Sequence, residues 1–231
     1  MIIELYSNNN QQTNNFASDY LKKNHFGKII SLDVGKKRIG IAVCDENRLI
    51  CIPKLIINKI NKLNLITYVA FNLIFHPAIL FLKNYLYIEK LTINEVNVYC
   101  GSYLPDWRGN VNFRKIYSAK KNMGGGVHLD LIHEIDYSTW LFGQPMETYG
   151  FMTSTSSLNI DSTDYAQYNL MYEKFVLNIK LNYFRRDTKR EIEIVAENET
   201  LLCDIQNCVI KNLTNGTILF RKNYNIMDTY I

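Results

Sequence analysis

Between residues 175 and 220 apolar and polar positions alternate with a period of two. Phe175, Leu177, Ile179, Leu181 and Tyr183 are separated by Asn178, Lys180 and Asn182, and Ile192 and Ile194 alternate with Glu191 and Glu193. Such alternation sends one row of side chains into a core and the other toward water, so it predicts half-buried strands of an antiparallel sheet. Residues 201–205, 208–211 and 217–220 continue the pattern across turns containing Asn and Gly. Upstream, residues 29–34 and 38–43 form two β-rich runs joined by Gly35, Lys36 and Lys37, with a third run at 49–52, a hairpin or meander. Residues 67–73 read as a buried strand. Pro77 suits the first position of a helix running to about Tyr87, and residues 93–101 read as another strand. Residues 54–65 could be helix or junction, and residues 102–122 form a long loop without periodicity, a kind of segment that often carries function. The architecture expected is α+β: an open, mostly antiparallel sheet with helices on one face.

Gly124, Gly125 and Gly126 lead into a helical pattern. At about 100° per residue, Val127, Leu131, Ile132, Ile135 and Phe142 fall on one side and Asp130, His133, Tyr137 and Trp140 on the other. Asp130 and His133 are three residues apart, where a carboxylate could orient an imidazole and raise its pKa for general acid/base work at a hydroxyl or carbonyl carbon. Taken alone, such a pair is more often a solvated surface pair. Tyr137 and Trp140 beside it shift the reading toward a sugar-binding wall or a protein contact.

Composition narrows the classes. With 231 residues, 47% hydrophobic and 13% aromatic, the chain can build a sizeable core. The 26 Lys and Arg are interspersed with 22 acids for a net charge of +4, which gives no overall nucleic-acid footprint. Five Cys, with no CxxC pair, fit reduced thiols in a cytoplasmic protein. The N-terminus shows no basic segment followed by an apolar core, and the most apolar run, residues 66–82, is interrupted by Asn72, His76 and Pro77, so neither a secretory leader nor a membrane span is expected. Residues 1–27, rich in Asn and Gln, read as a poorly ordered arm or a short helix at 17–23.

The phrases VAFNLIFHPAILFLKNYL, VNVYCGSYLPDWR, YSAKKNMGGGVHLDLIHEIDYSTWLFGQP and LNYFRRDTKREIEIVAENETL carry a resemblance. Over residues 68–231 the chain resembles the C-terminal, substrate-binding domain of the Gfo/Idh/MocA oxidoreductases. That resemblance implies an open sheet with helices on one face and NAD(P)-dependent oxidation or reduction of a sugar hydroxyl. It implies His133 as the general acid/base and Asp130 as its partner, although the family's Asp more often lies four residues before the His. Tyr103, Arg108, Tyr137 and His76 are the candidate substrate contacts. Asn72, Phe75, His76 and Pro77 resemble the segment that leaves the family's cofactor domain. The family's GxGxxG turn and its EKP-like lysine are missing, so the NAD or NADP site is expected outside this chain, on a separate Rossmann-domain chain. Alone, the chain is expected to be inactive.

The run ISLDVGKKRIGIAVCDENRLICIP, in turn, resembles the start of the YqgF-type pre-16S rRNA nuclease and Holliday-junction-resolvase-like family, with Asp33 matching its metal-binding strand carboxylate. Two-metal chemistry needs several convergent carboxylates, and the later strands that would supply them are not found. Residues 28–67 therefore read as a fragment with its junction, and the whole chain as a fusion joined near residues 60–68. Three functions stay open: an oxidoreductase substrate domain, a divalent-metal nuclease remnant acting through Asp33, and a non-catalytic module forming homo-oligomers through the open sheet face.

Overall fold

The computed structural model describes the backbone of Ile30–Val34, Ile39–Cys44 and Cys51–Ile57, and residues 72–224 in full. The chain divides into two compact units, Met1–Asn72 with Tyr230–Ile231, and Leu73–Thr229.

In the first unit, β1 (Ile30–Val34), β2 (Ile39–Cys44) and β3 (Cys51–Ile57) form an antiparallel meander in the order β1-β2-β3. Ile30 pairs with Val43 and Val34 with Ile39, and a bulge interrupts the β2–β3 register between Ile41 and Ala42. The strand pattern predicted this backbone, with β3 running further than the short run at 49–52. The arm at 1–27 and the junction from residue 58 onward lie outside the described residues.

The second unit is built on an eight-stranded sheet. Its strands are β4 (Ile93–Tyr103), β5 (Glu147–Thr153), β6 (Tyr165–Met171), β7 (Val176–Asn182), β8 (Phe184–Ala196), β9 (Thr200–Asp204), β10 (Val209–Asn212) and β11 (Ile218–Arg221). Their order is β11-β10-β9-β8-β4-β7-β6-β5, with β4 and β7 parallel and every other neighbouring pair antiparallel. The alternation read from sequence is the burial pattern observed: Val96, Val98 and Cys100 of β4, Leu177, Ile179 and Leu181 of β7, Ile192 and Ile194 of β8, and Leu201 and Cys203 of β9 all enter one core. Fully burying one such aliphatic side chain contributes about 1.5–3 kcal/mol before ordering entropy is subtracted.

Three helices cover that apolar face. Helix α1 (Pro77–Glu89) buries Ala78, Ile79 and Leu82 and packs on β9, β10 and β11. Its start is fixed by Pro77 and by His76, whose Nδ1 accepts the Ala78 N–H at 3.3 Å, and its end by Lys90 in the left-handed conformation. Before it, Asn72–Phe75 is a 3₁₀ turn, so the strand expected at 67–73 does not reach Asn72 and Leu73; residues 67–71 lie outside the described residues. Helices α2 (Val127–Asp130) and α3 (His133–Phe142) pack on β6 and β7 and on β4 respectively.

The single helix predicted after the glycines is thus two, broken at Leu131 and Ile132, and the break changes its phase. Tyr137, placed on the polar face by a continuous helical count, is completely buried, together with Glu134 and Ser138. Residues 102–122 also differ from a plain loop: Ser102 and Tyr103 finish β4, and four 3₁₀ turns follow, at Leu104–Asp106, Phe113–Lys115, Tyr117–Ala119 and Lys121–Met123. No helix among the described residues is long and apolar enough to cross a membrane.

Candidate functional site

The glycine run is the hinge of the site's architecture. A Cβ on Gly125 would lie 2.0 Å from the Tyr117 carbonyl oxygen and 2.6 Å from that of Ser118, and Gly126 has a φ of +145°, so neither position accepts a side chain without moving backbone. The glycines let the chain lie against the 3₁₀ turn at Tyr117–Ala119 before α2 begins. Val127 then donates its N–H to the Thr163 carbonyl at 2.8 Å, tying α2 to the loop ahead of β6.

His133 is the first residue of α3 and half-buried. Burial, with the positive charge of Arg190 nearby, lowers its pKa to about 4, which reverses the upward shift expected from an aspartate partner. The break between α2 and α3 takes Asp130 and His133 out of helical i, i+3 register. Asp130 instead accepts a hydrogen bond from the Tyr183 hydroxyl at 2.5 Å. Tyr183 is fully buried, and burial and the Asp130 charge push its hydroxyl pKa well up. Trp107 meets the Tyr183 ring edge-on at 5.3 Å and donates its indole N–H to Ser102 Oγ at 2.9 Å. Asp130, Tyr183 and Trp107 therefore form one connected wall beside α2.

Beneath α3 lies a group that sequence reasoning missed. Glu134, entirely buried, pairs with Arg190 of β8, Nε to Oε1 at 2.7 Å, and the same Nε reaches Cys100 Sγ on β4 at 3.3 Å. Cys100 and Arg190 face each other in the β4–β8 ladder. Burial raises the Glu134 pKa against the pull of Arg190. For Arg190, burial acts to lower the pKa, but Glu134 outweighs it and the net shift is upward. Burial also lifts the Cys100 thiol to about 12, so it stays protonated and is no nucleophile. A signal was present: Arg190 has the same parity as Ile192 and Ile194, the inward row of β8, and a charge on that row requires a buried partner.

The remaining candidates separate. His76 is 2% exposed, caps α1 and meets Tyr224 edge-on at 5.0 Å; burial and Arg190 lower its pKa to about 4. Tyr137 lies in the core, its Oη without a hydrogen-bond partner, and does not form the substrate wall expected of it. Tyr103, at the end of β4, has Arg186 over its ring at 3.8 Å, and the exposed Arg108 stands 5.8 Å from the Tyr117 ring. Asp33 lies in β1 opposite Gly40, and its side chain is outside the described residues. Within residues 72–224 the glycine run is taken up by its packing against Tyr117 and Ser118 and opens a helix of only four residues, so it does not fit a dinucleotide pyrophosphate.

Comparison with known proteins fits this geometry. Residues 88–202 match the family described as GFO/IDH/MocA C-terminal domain, a match that begins after β1–β3. Among solved structures, UDP-N-acetylglucosamine 3-dehydrogenase GnnA from Acidithiobacillus ferrooxidans superposes with a TM-score of 0.52 at 14% identity, covering 72% of this chain and 50% of that one. An inositol dehydrogenase homolog complexed with NAD+ from Azotobacter vinelandii gives 0.55 at 11% identity, covering 68% and 44%. An oxidoreductase from Agrobacterium radiobacter in complex with NAD+, L-tartaric acid and magnesium gives 0.54 at 16%, covering 68% and 49%. No curated protein matches. The chain spans about half the length of these solved proteins, and at such identities they speak for the fold. The open sheet with helices on one face is the fold these solved structures share, and residues 88–202 within it match the GFO/IDH/MocA C-terminal domain.

Proposed function

We propose that this chain supplies the substrate-binding, acid/base half of an NAD(P)-dependent oxidoreductase that interconverts a sugar hydroxyl and carbonyl. The observation that carries the reading is His133: a half-buried imidazole at the head of α3, behind a glycine run that cannot bear side chains, and neutral above about pH 4. A neutral imidazole is the form that accepts a hydroxyl proton. Asp130, bound to Tyr183, holds the adjoining wall, and Tyr103 and Arg108 remain candidate substrate contacts. NAD or NADP would supply the hydride-accepting ring from a Rossmann domain outside residues 72–224, which offer it no fitting cradle.

The uncovered sheet face suits pairing with a second copy. A row of amides and carboxylates, Asn169 to Asn178 at 2.5 Å, Asn178 to Glu95 and Asn97 at 3.0 Å, and Asn97 to Glu193 at 3.1 Å, offers donors and acceptors alike, as an isologous contact requires.

The deciding experiment mixes the purified chain with a Rossmann-domain partner, a sugar and NAD(P)+ and follows NAD(P)H absorbance. Turnover that disappears in His133→Ala is expected; no turnover with any partner and sugar defeats the proposal.

A further inference from the structure

From Trp107 to Leu129 the chain contains no acidic residue and five cations, Arg108, Arg114, Lys115, Lys120 and Lys121. Asp106 and Asp130 bound this stretch, and Asp130 is engaged by Tyr183. These five cations within 23 residues make a local positive field, and it lies on the segment that packs directly against Gly125, ahead of α2 and His133.

The cations are displayed on an anchored scaffold. Ile116, Ser118 and Ala119 are buried. The Ser118 carbonyl accepts from Ser162 Oγ at 2.6 Å, the Lys121 N–H is held by Asp161 Oδ1 at 3.2 Å, and Arg114 donates to the Leu158 carbonyl at 2.9 Å. Arg108, Lys115, Lys120 and Lys121 take part in no salt bridge among the described residues, and Arg108, Arg114, Lys115 and Lys121 are exposed. Two aromatic rings stand among them: Trp107 at 37% exposure, touching the Tyr183–Asp130 wall, and Tyr117 at 40%, beneath Arg108. Unpaired guanidinium and ammonium groups on a fixed turn are suited to phosphate oxygens, and exposed rings beside them to the face of a sugar or base.

We infer that the turn segment from Trp107 to Met123 is an anion-binding platform that selects a phosphate-bearing sugar, either a sugar phosphate or a nucleotide sugar, and presents it to His133. This inference rests on the proposed sugar oxidoreductase reading and names its substrate class. The phosphate is held by Arg108 and Lys121 with support from Lys120, while the sugar reaches toward α3.

The test is a calorimetric titration of the full chain with glucose 1-phosphate, UDP and inorganic pyrophosphate, each against its uncharged counterpart, glucose or uridine, where one exists. The phosphorylated probes are expected to bind at least about tenfold more tightly than the neutral ones, with affinity falling as salt rises. Preference for UDP assigns a nucleotide sugar and preference for glucose 1-phosphate a sugar phosphate; equal binding of the three, pyrophosphate included, marks an unselective anion site and overturns the platform. Arg108→Ala with Lys121→Ala should remove that preference without lowering the melting temperature, because both side chains are exposed. Neutral and phosphorylated probes binding alike, the double variant binding as the parent does, or single-stranded RNA binding far more tightly than UDP would each overturn it. Turnover of an uncharged sugar that phosphates do not inhibit overturns the platform and leaves the oxidoreductase reading standing. Phosphate-selective binding without hydride transfer does the reverse.

Discussion

The two faces of the eight-stranded sheet are made from the same strands, yet they solve different problems. On the covered face β4, β7, β8 and β9 present aliphatic side chains to the helices, and the ion pair set among them, Glu134–Arg190 with Cys100, is held by partners on both sides. On the uncovered face the same strands present Glu95, Asn97, Asn178 and Glu193, joined side chain to side chain. A polar contact in water replaces contacts that water would make anyway, whereas a polar contact under the helices replaces nothing, and its loss leaves a charge stranded. Similar bonds should therefore differ greatly in weight according to the face they occupy.

The largest effect should come from breaking the covered pair. Arg190→Met, which strands the Glu134 carboxylate in the core, should cost about 3–5 kcal/mol in urea unfolding, and adding Glu134→Leu should recover most of it. If the single and double variants are equally destabilised, the site depends on shape rather than charge.

A smaller effect follows from His133. Its folded pKa of about 4 lies below the ordinary value of 6.5, so between these the unfolded chain binds more protons than the folded one. Its contribution is fully present above about pH 6.5 and is lost as pH falls toward about 4. Asp136, whose pKa burial raises to about 6, works in the opposite sense over part of that window. The comparison is therefore made between the parent and His133→Gln: the parent should gain stability relative to the variant as pH rises from 4 to 6.5, and parallel curves would contradict a buried neutral imidazole.

The smallest effect belongs to the uncovered face. Asn178→Ala removes bonds to Asn169, Glu95 and Asn97 but should cost no more than about 1 kcal/mol, since water replaces each partner. A loss matching that of Arg190→Met would mean that this face is dry, as it would be under a second copy. Sedimentation of the parent and variant would show such pairing.

Much of the sheet was legible because its strands obey one rule. Leu177, Ile179 and Leu181 against Asn178 and Lys180 determine both the strand and its inward face, and Pro77 sets the start of α1. The site was less legible. Nothing in LDLIHEID marks a break at Leu131 and Ile132, because Leu and Ile continue a helical count as readily as they interrupt it, and the interruption comes from packing onto β6, β7 and β4. That break moved Asp130 from His133 to Tyr183, a residue 53 positions away. Glu134 sits in an otherwise polar stretch and reads as solvated until the inward parity of Arg190 is noticed. The basic run from Arg108 to Lys121 could be counted in the sequence, but its anchoring by Ser162, Asp161 and Leu158 comes from a distant loop and is visible only in three dimensions.

The parallel pairing of β4 with β7 also orders events in time. Asn97 and Asn178, joined across that pair, are 81 residues apart, and the other neighbour of β4, β8, is later still. The C-terminal strands β8, β9 and β10 can close as local hairpins at little entropic cost, but the central strand must wait for its neighbours on both sides. On the ribosome, β4 emerges first among the eight and is completed only after β7 and β8 have followed. During that interval Val96 and Val98 stand exposed, so the middle of the sheet, its most buried part when folded, is where a nascent chain of this protein is most open to misassembly or to capture by a chaperone.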